Sequence, residues 1–546
     1  KISSSASAID PDDTTSSIAT VKFKGTDTYF ANSTLNVSQI KVVVNGQEVT
    51  TGITKTLGTA TALNEQRKTF GSNAITTKQY GVEYTLTIKG FAQDANQVKV
   101  RIPAETITDE SGNGNKETDL IVYNVLRKEG IEGDYEFVSE FPFLGNNSIQ
   151  RQNIENVTFE TEIPSEVYDK KTGEYVNSTA WDVSAQQDKS IIAWYETSNS
   201  NGALKMHIGS DDEIFANQDS KYLFADIGLS DKCTATEAIT NLDLLNVKSV
   251  KSMMHMFSAL GFQAMTSFAL PETFDTSNVT NMERMFENCG QKNMTTLELG
   301  KNFNTTNVTN MNIMFNMCGR EKLTKLDLSS GTDETNTTQF NTSNVNAMAM
   351  MFTSLGRMSL KSLNLGHNFD TSNVIWMNYM FAYMGREEMT SLDLGDKFET
   401  GRVTNMYRMF MECGYSKMTS LNLGNKFNTV NVTDMQKMFN DCGYKSLTSL
   451  DLGDWFDTTN VKDMYKMFAN CGAESMTTLD LGAKFTHIPT GRLTKEFSTY
   501  DDWENDKITD YIAYDKFAEG CGTTGLVIYA PESIYSSNGE FYINEQ

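Results

Sequence analysis

One short segment of the 546-residue chain spaces its polar side chains as a calcium-binding loop does. Asp109, Ser111 and Asn113 alternate ahead of Gly114, and carboxylate, hydroxyl and amide oxygens at alternating positions suit Ca²⁺. The pattern ends there, because Leu120 stands where such a loop places a bidentate glutamate. The three residues are therefore a calcium candidate, and a plain hairpin turn is the alternative that the incomplete ligand set favours.

The sequence contains few residues and none of the common motifs that catalysis would need. The four histidines are scattered singly as His207, His255, His367 and His487. No two cysteines are spaced as Cys-x-x-Cys. Neither a nucleophile elbow, a zinc-protease motif, a phosphate-binding loop nor a dinucleotide-binding glycine motif occurs. We therefore expect a protein that is not an enzyme and that needs no cofactor.

Composition narrows the range of partners. The 46 basic and 70 acidic residues give a net charge of −24 and a pI near 4.7, which argues against nucleic acid or an anionic lipid surface. No apolar run approaches the roughly 20 residues that a membrane-spanning helix needs. Neither a secretory leader nor a C-terminal anchor is visible, so we expect a cytoplasmic protein or a piece of a longer one.

An internal repeat dominates the second half of the chain. The pair Met-Phe recurs eight times at a spacing of 29 residues, except for one interval of 37. The long interval contains the polar segment Ser329–Gln339, which we expect to loop out. The pairs begin at Met256, Met285, Met314, Met351, Met380, Met409, Met438 and Met467.

Each unit predicts a strand followed by a short helix. A Leu-x-Leu alternation is typical of a half-buried strand, and four apolar residues spaced by three or four positions suggest one face of a helix. In the unit that begins at Met418 these residues are Leu421, Leu423, Met435, Met438, Phe439 and Cys442. A unit this short cannot bury its own apolar side, so the units must stack with their strands parallel. The predicted fold class is a leucine-rich-repeat α/β solenoid of about eight 29-residue units.

Two repeat positions predict ladders inside the stack. Phenylalanines that should stack on one another are Phe274, Phe303, Phe340, Phe369, Phe398, Phe427, Phe456 and Phe485. Asparagines before a valine should satisfy backbone groups of neighbouring turns rather than carry sugar at their Asn-x-Thr sequences. They are Asn278, Asn307, Asn344, Asn373, Asn431 and Asn460, and Arg402 interrupts the column.

Five cysteines share one further repeat position. They are Cys289, Cys318, Cys413, Cys442 and Cys471, and other units place Leu260, Leu355 and Met384 there. A position that accepts leucine, methionine or cysteine is a small apolar one. We therefore expect buried free thiols rather than disulfides or metal ligands.

The outward-facing residue of each Leu-x-Leu strand defines the candidate binding surface. Acidic and amide side chains recur there at about 4.8 Å from one unit to the next, where like charges repel unless water, cations or a basic partner intervene. A solvated face that keeps the strands soluble is the alternative. The candidates are Glu298, Asp327, Asn364, Asp393, Asn422, Asp451 and Asp480, with Ala269 before them.

The segment Asn431–Leu452 represents the repeat well, because it reads Asn-Val-Thr-x-Met-x-x-Met-Phe-x-x-Cys-Gly followed by Leu-x-x-Leu-x-Leu. It resembles the BspA-type leucine-rich repeat of bacterial surface proteins. The resemblance extends from near Asn241 to Phe497 and implies a cell-surface or secreted location, with adhesion as the usual role. Two features depart from that family: the 29-residue period exceeds the commoner units, and no surface anchor is visible.

The N-terminal part predicts a separate β domain. Alternating or β-branched runs occur at Val21–Lys24, Ile40–Val44, Gln47–Thr50, Tyr84–Lys89, Gln97–Ile102 and Leu120–Val125. Asn45-Gly46 predicts a tight hairpin turn. The pattern resembles bacterial Ig-like modules and implies a β-sandwich. We divide the chain into a flexible lead-in (1–17), an Ig-like β-sandwich (18–128), a β-rich N-terminal cap (129–235), the repeat solenoid (236–497) and a C-terminal cap (498–546).

The sequence as a whole predicts a non-enzymatic bacterial cell-surface protein. It would be an extracellular adhesin that presents an extended repeat surface to a protein or cell-surface ligand, and the net charge favours a basic ligand. The open alternative is a structural subunit of a surface layer or filament, formed by self-assembly. Neither nucleic acid nor membrane insertion is expected of this chain.

Overall fold

The computed structural model describes residues 2–6, 18–27, 30–44, 47–68, 75–89, 98–122, 142–144, 146–184, 189–198, 202–329, 340–490, 492–493, 511–514 and 516–534. Two compact units, Lys1–Gly130 and Ile131–Gln546, make up the chain. No helix among the described residues has the length and apolar character to cross a bilayer. Several predicted features lie wholly or mostly outside the described residues: the lead-in, the turn at Asn45-Gly46, the insertion Ser329–Gln339 and the C-terminal cap.

The described part of the first unit is built of antiparallel strands. They are β1 (Ile2–Ala6), β2 (Ile18–Thr26), β3 (Phe30–Ser33), β4 (Lys41–Val44), β5 (Gln47–Glu48), β6 (Thr54–Leu57), β7 (Thr61–Lys68), β8 (Ile75–Lys89), β9 (Val98–Ile102), β10 (Ile107–Asp109) and β11 (Thr118–Val122). One sheet has the order β1-β2-β8-β6, with β7 also paired to β8. A second has the order β11-β9-β4-β5, and β10 pairs with β3.

These sheets correct the predicted Ig-like β-sandwich. The strands fall into three separate sheets of five, four and two strands, because the 15-residue β8 collects β2, β6 and β7 along its length. Buried side chains of the two larger sheets share a core that includes Leu86, Ile88, Val100 and Ile102. Ile2–Ala6 fall within the predicted lead-in but pair with β2. Hydrophobic alternation located strands correctly but carries no information about which strands pair.

The second unit begins with short strands. They are β12 (Pro142–Phe143), β13 (Asn146–Gln150), β14 (Ile154–Glu160), β15 (Tyr168–Asp169), β16 (Glu174–Tyr175), β17 (Trp181–Asp182), β18 (Ile192–Thr197), β19 (Leu204–Gly209), β20 (Ile214–Phe215), β21 (Ile239–Thr240) and β22 (Leu245–Asn246), with single 3-10 turns at Arg151–Asn153 and Leu242–Leu244. The largest sheet has the order β17-β18-β19-β14-β21. In this sheet β14 runs parallel to both of its neighbours, β19 and β21, and the repeat strands that follow are parallel as well.

Each repeat contributes one three-residue strand. These are β23 (Ser267–Ala269), β24 (Thr296–Glu298), β25 (Lys325–Asp327), β26 (Ser362–Asn364), β27 (Ser391–Asp393), β28 (Ser420–Asn422), β29 (Ser449–Asp451) and β30 (Thr478–Asp480). After them come β31 (Arg492–Leu493), β32 (Tyr511–Ile512), β33 (Val527–Tyr529) and a 3-10 turn at Glu532–Ile534. The repeat strands pair in parallel, with leucine opposite leucine in the pairs β25-β26, β27-β28 and β29-β30, as Leu392 lies opposite Leu421, and with Phe268 opposite Leu297 between β23 and β24. The central residue of each strand, such as Leu421, is buried, and the residues on either side of it face outward. Leu423 is buried as well, so both leucines of Leu-x-Leu point inward and the residue between them points outward, as predicted.

The predicted helix in each repeat is wrong. The described residues contain no α-helix, and the segment after each strand is a series of turns. Alternate N–H groups donate across to the next repeat at 2.8–2.9 Å: Met435 to Asp463, Lys437 to Tyr465, Phe439 to Met467 and Asp441 to Ala469. The intervening N–H groups of Met438, Asn440 and Cys442 donate three residues back. A helix needs nearly every donor within its own segment, so sharing half of them with a neighbour excludes it.

These turns share one backbone signature, with positive φ at their first, fifth and seventh residues. We call them turn segments: 222–228, 255–261, 284–290, 313–319, 350–356, 379–385, 408–414, 437–443, 466–472 and 516–522. Glycine always fills the seventh place, as at Gly443, but Lys437 and Asp441 adopt left-handed angles in the first and fifth. The described chain therefore stacks ten such segments, two more than the eight predicted units.

Two columns of phenylalanine rings run through the stack. The predicted column is confirmed from Phe303 to Phe485, with neighbouring centroids 6.1–6.3 Å apart. A second column, from Phe257 to Phe468, is formed by the Met-Phe pairs at 5.3–5.8 Å. Parallel strands place equivalent residues directly above one another, so each ring packs against its own counterpart.

The first turn segment is covered by the chain that precedes the repeats. The buried guanidinium of Arg151 donates through Nη1 to the carbonyls of Tyr222 at 2.6 Å and Leu223 at 2.9 Å. The N–H of Gly228 donates to the carbonyl of Ile154 at 2.7 Å. Backbone groups that an inner repeat would satisfy are therefore satisfied by residues 151–154 at this end.

Candidate binding surface

All predicted binding-surface residues lie in one row on the outward face of the repeat strands. The strand pairs place Glu298 beside Ala269, Asn364 beside Asp327, Asn422 beside Asp393 and Asp480 beside Asp451. We call the acidic row the residues Glu298, Asp327, Asn364, Asp393, Asn422, Asp451 and Asp480. All are exposed except the half-buried Asp480. The structure therefore places the predicted side chains on a common surface.

One oxygen of nearly every residue in the acidic row closes the turn after its strand. Asp393 Oδ1 accepts a hydrogen bond from the N–H of Gly395 at 3.0 Å, and Asp451 Oδ1 accepts one from Gly453 at 2.8 Å. The same bond recurs from Asp327, Asn364, Asn422 and Asp480. This structural role was missed, although Asp or Asn two residues before Gly is a turn signature. Asp393, Asp451 and Asp480 keep a second carboxylate oxygen to face solvent or a partner, whereas Oδ2 of Asp327 pairs with Lys325 Nζ at 2.7 Å.

Amides separate two of the four successive pairs of acidic residues in the acidic row. Asn364 follows Asp327, and Asn422 follows Asp393, to which its Nδ2 donates at 3.1 Å. Partial burial raises the pKa of Asp327, but hydrogen bonds from Lys325 and Ser329 outweigh it and hold the pKa below the ordinary value. Asp451 and Asp480 lie directly opposite each other with no amide between them. Glu298 and Asp327 are also consecutive, but Lys325 Nζ lies 2.7 Å from Asp327 Oδ2, so negative charge without an ion-pair partner is densest at the C-terminal end of the row.

A second row of polar side chains accompanies the first and was not predicted. It lies two residues earlier on the same strand face and consists of Ser267, Thr296, Lys325, Ser362, Ser391, Ser420, Ser449 and Thr478. Hydroxyl groups can donate or accept, so the face offers both kinds of hydrogen-bonding group. The period-two alternation that located the acidic row also predicts this one.

Trp455 is an exposed aromatic residue at the edge of the acidic row. Half of its surface is open to solvent, and it lines a groove together with Asp451 and Asp480. Sequence reasoning missed it because the groove is formed by loops of neighbouring repeats. The signal that was available is that Trp455 occupies a position that holds lysine or asparagine in most other units.

The calcium candidate forms a compact hairpin turn. Asp109 Oδ1 accepts hydrogen bonds from the N–H groups of Ser111 at 2.8 Å and Asn113 at 2.9 Å, and Asn113 Nδ2 donates to Asp109 Oδ2 at 2.9 Å. These bonds, led by the Asn113 side chain, lower the pKa of Asp109. Leu120 lies in β11, outside the loop. Both carboxylate oxygens of Asp109 thus bind the loop itself, which is the behaviour of a turn residue.

The asparagine column is confirmed as a backbone-binding ladder. Each Nδ2 donates to a backbone carbonyl of the preceding repeat at 2.7–2.8 Å, for Asn278, Asn307, Asn344, Asn373, Asn431 and Asn460. Where Arg402 interrupts the column, its Nη1 donates to Asn373 Oδ1 at 2.7 Å. The atom that would carry a sugar is therefore engaged in holding neighbouring repeats together.

The cysteine column is confirmed as a set of buried free thiols. Cys289, Cys318, Cys413, Cys442 and Cys471 are all fully buried and unpaired by disulfides. The column continues to the half-buried Cys521, because the N–H of Gly522 donates to the carbonyl of Cys471 at 3.0 Å. Among the described residues, no three His, Cys, Asp or Glu side chains are placed to hold a metal ion.

Comparison with known proteins gives one family. The sequence is similar to the family described as "Mycoplasma protein of unknown function, DUF285" over residues 228–334, 259–389, 323–442 and 386–482. Successive matches to the same family along the chain, together with the recurring strand pairs, identify a repeat protein. No curated protein matches the chain. No solved structure matches it either.

Proposed function

We propose that this chain is a non-enzymatic bacterial cell-surface protein, an adhesin that binds a cationic protein through the acidic row. The observation that carries the proposal is the acidic row itself, in which carboxylates and amides face outward on successive parallel strands. The net charge of −24 also favours a cationic partner for the molecule as a whole. A basic partner would be attracted at long range and held by short-range hydrogen bonds.

The regular spacing of the acidic row supports binding by many weak contacts. Each strand offers one carboxylate or amide and one hydroxyl or lysine group at the same relative position. A partner with several lysine or arginine side chains can engage several strands at once, and the effective concentration of each later contact is then high. Exposed single ion pairs are worth only about 0–1 kcal/mol each, so affinity must come from their number.

The assignment to a bacterial surface comes from resemblance. The repeat in Asn431–Leu452 resembles BspA-type surface proteins, which supports an extracellular location and an adhesive role. Similarity to a family of Mycoplasma proteins supports a bacterial origin.

A matched pair of probe proteins tests the proposed function. The chain is immobilised and exposed to lysozyme, which is basic, and to succinylated lysozyme, in which the lysine charges are reversed on the same fold. We expect the unmodified form to bind at least about tenfold more tightly, and added salt to reduce the difference. Equal binding of the two forms, or none of either, would reject an electrostatic adhesin.

One observation favours the alternative of a structural subunit of a surface layer or filament. The last repeat strand β30 pairs with β33, on which Val527 is 49% and Tyr529 57% exposed. Exposed apolar side chains at the end of the stack are a surface that a second copy of the chain can cover. Light scattering over a range of protein concentrations separates the two functions, because ordered assemblies favour the subunit and a constant monomer favours the adhesin.

A further inference from the structure

A groove of about 320 Å³ opens beside the last two members of the acidic row. Its walls come from the loops that follow β28, β29 and β30 in three neighbouring repeats. The side chains that carry its chemistry are Asp451, Asp454, Trp455 and Asp480, and Gly453 and Gly482 keep the groove open between them.

Trp455 gives the groove an aromatic wall. The residue that precedes the column phenylalanine is tryptophan only here, and in the other repeats it is Thr273, Asn302, Gln339, Asn368, Lys397, Lys426 or Lys484. The indole is 50% exposed. Lys484 Nζ lies 4.0 Å from the ring centroid, so the ring already holds one cation of its own chain. The indole is therefore oriented for cation–π contact.

The carboxylates of the groove lack the lysine or arginine partners that other carboxylates of the stack have. Within the described part of the chain, no lysine or arginine nitrogen lies within ion-pair distance of Asp451, Asp454 or Asp480. By contrast, Glu388 pairs with Lys417 at 2.7 Å on the same stack. The groove thus combines carboxylates that form no ion pair with an aromatic ring that already binds an ammonium group, and both features are complementary to a cation.

We propose that this groove binds an arginine side chain of an extended basic peptide segment. The guanidinium would take the place of the Lys484 ammonium on the indole of Trp455, and its N–H groups would donate to the carboxylates of Asp451, Asp454 and Asp480. Arginine fits better than lysine, because its planar fork can stack and form two parallel hydrogen bonds at once. The inference rests on the proposed function, since it names the anchor point of a cationic partner on the acidic row.

The test uses one short labelled peptide in three forms. An Arg-Gly-Gly repeat peptide is compared with the same peptide carrying lysine and with one carrying citrulline, which keeps the shape of arginine without its charge. We expect the arginine form to bind most tightly and the citrulline form least. Replacing Trp455 by asparagine, which other repeats carry at this position, should weaken binding of the arginine peptide by about five- to tenfold.

Trp376 supplies a matched control. It is also 50% exposed, and equivalent positions hold Asn281, Asn310 and Asn405, so Trp376→Asn is the same chemical change at a site that tolerates it. We expect this variant to bind the arginine peptide as the unchanged protein does. The groove proposal is overturned if Trp455→Asn and Trp376→Asn bind equally well, or if the citrulline peptide binds as tightly as the arginine peptide. Binding of a neutral oligosaccharide that depends on Trp455, without binding of any peptide, would also overturn it.

The two proposals fail in different ways. If the chain binds lysozyme more tightly than succinylated lysozyme, but Trp455→Asn leaves the affinity for the arginine peptide unchanged, the groove is not the anchor and the adhesin proposal stands. If the arginine peptide needs Trp455 but the two forms of lysozyme bind alike, the groove is a peptide site and the acidic row is not an adhesive surface.

Discussion

The rings of Phe439 and Phe468, which are 29 residues apart in sequence, lie parallel within 1° with their centroids 5.4 Å apart. Both rings are fully buried. The relationship repeats along the Met-Phe column, so each repeat contributes one ring to a continuous apolar stack. Because neighbouring repeats depend on each other for this burial, the stability of one unit is tied to that of the next.

Truncating one ring of the column should be costly. We expect Phe439→Ala to lower the free energy of unfolding by about 3–5 kcal/mol, because it leaves a cavity between two stacked rings. Val430→Ala, at a position 36% exposed in the same repeat, should cost less than about 1 kcal/mol. Urea unfolding followed by circular dichroism measures both. Similar costs for the two variants would argue against a packed phenylalanine column.

Two glycines of the repeats should respond oppositely to alanine. Gly443 has φ +54°, and a Cβ there would lie 2.4 Å from the Cβ of Leu447, so Gly443→Ala should destabilise by at least about 2 kcal/mol. Gly401 has ordinary φ, and a Cβ would meet nothing nearer than Asn428 Nδ2 at 3.9 Å. Gly401→Ala should therefore be neutral or stabilising by up to about 1 kcal/mol. If position 443 were a regular helical site, alanine there would be favourable instead.

Stability should fall on mild acidification because of His255. Burial, reinforced by the charge of Arg284, lowers the pKa of His255 to about 4 from its ordinary 6.5. The ring stacks on Tyr222 at 4.5 Å, and Glu287 lies 3.8 Å away but is also bound by Arg284. As the pH falls below 6.5 the unfolded chain takes the proton first, so folding is progressively disfavoured down to about pH 4 and levels off below it.

The comparison variant for this titration is His255→Asn, because asparagine accepts the left-handed φ of +57°. The unchanged protein should lose about 2–3 kcal/mol more than the variant between pH 7.5 and 4.5. Unfolding in urea at the two pH values gives the difference. Equal losses would show that His255 is not protonated preferentially in the unfolded chain.

The thiols should resist alkylation while the protein is folded. Burial raises the pKa of Cys413 far above its ordinary range, and burial with the nearby Glu155 charge raises that of Cys233 to about 11. Thiolate is the reactive form, so iodoacetamide at neutral pH should modify the native chain slowly, beginning with the half-buried Cys521. In urea all seven cysteines should react. Mass spectrometry counts the modified sites, and rapid labelling of Cys413 in the native protein would contradict the buried column.

The repeat positions could be predicted from the sequence, but the backbone between the strands could not. Met435, Met438, Phe439 and Cys442 are buried as expected. Their spacing of three and four fits a helix and a series of turns equally well, since both bring these side chains to one side. What decides between them is that half of the N–H groups bond to the next repeat, and the sequence of a single unit does not contain that information. Lys437 adopts a left-handed conformation, but lysine is not a residue type from which that conformation can be predicted.

The acidic row could be predicted because strand alternation alone determines which residues face outward. The turn-closing role of Asp393 and Asp451 was missed, although the glycine two residues after each of them is a turn signature in the sequence. The groove at Trp455 required the distance between loops of different repeats, which only the stacked structure supplies. Arg151 as the cover of the first turn segment was likewise unpredictable, because it lies 71 residues from its partner Tyr222.

The most direct test of an adhesive acidic row is the affinity of lysozyme for a variant whose charges are removed there. Asp327, Asp393, Asp451 and Asp480 are replaced together by asparagine, which Asn364 and Asn422 already show to fit these positions. The control variant removes four charges elsewhere on the stack through Glu272→Gln, Glu321→Gln, Glu399→Gln and Glu474→Gln. We predict that the first variant weakens binding by at least about tenfold and the second by less than about threefold. Equal weakening by both variants would contradict the account, because it would show that net charge alone, and not the acidic row, attracts the partner.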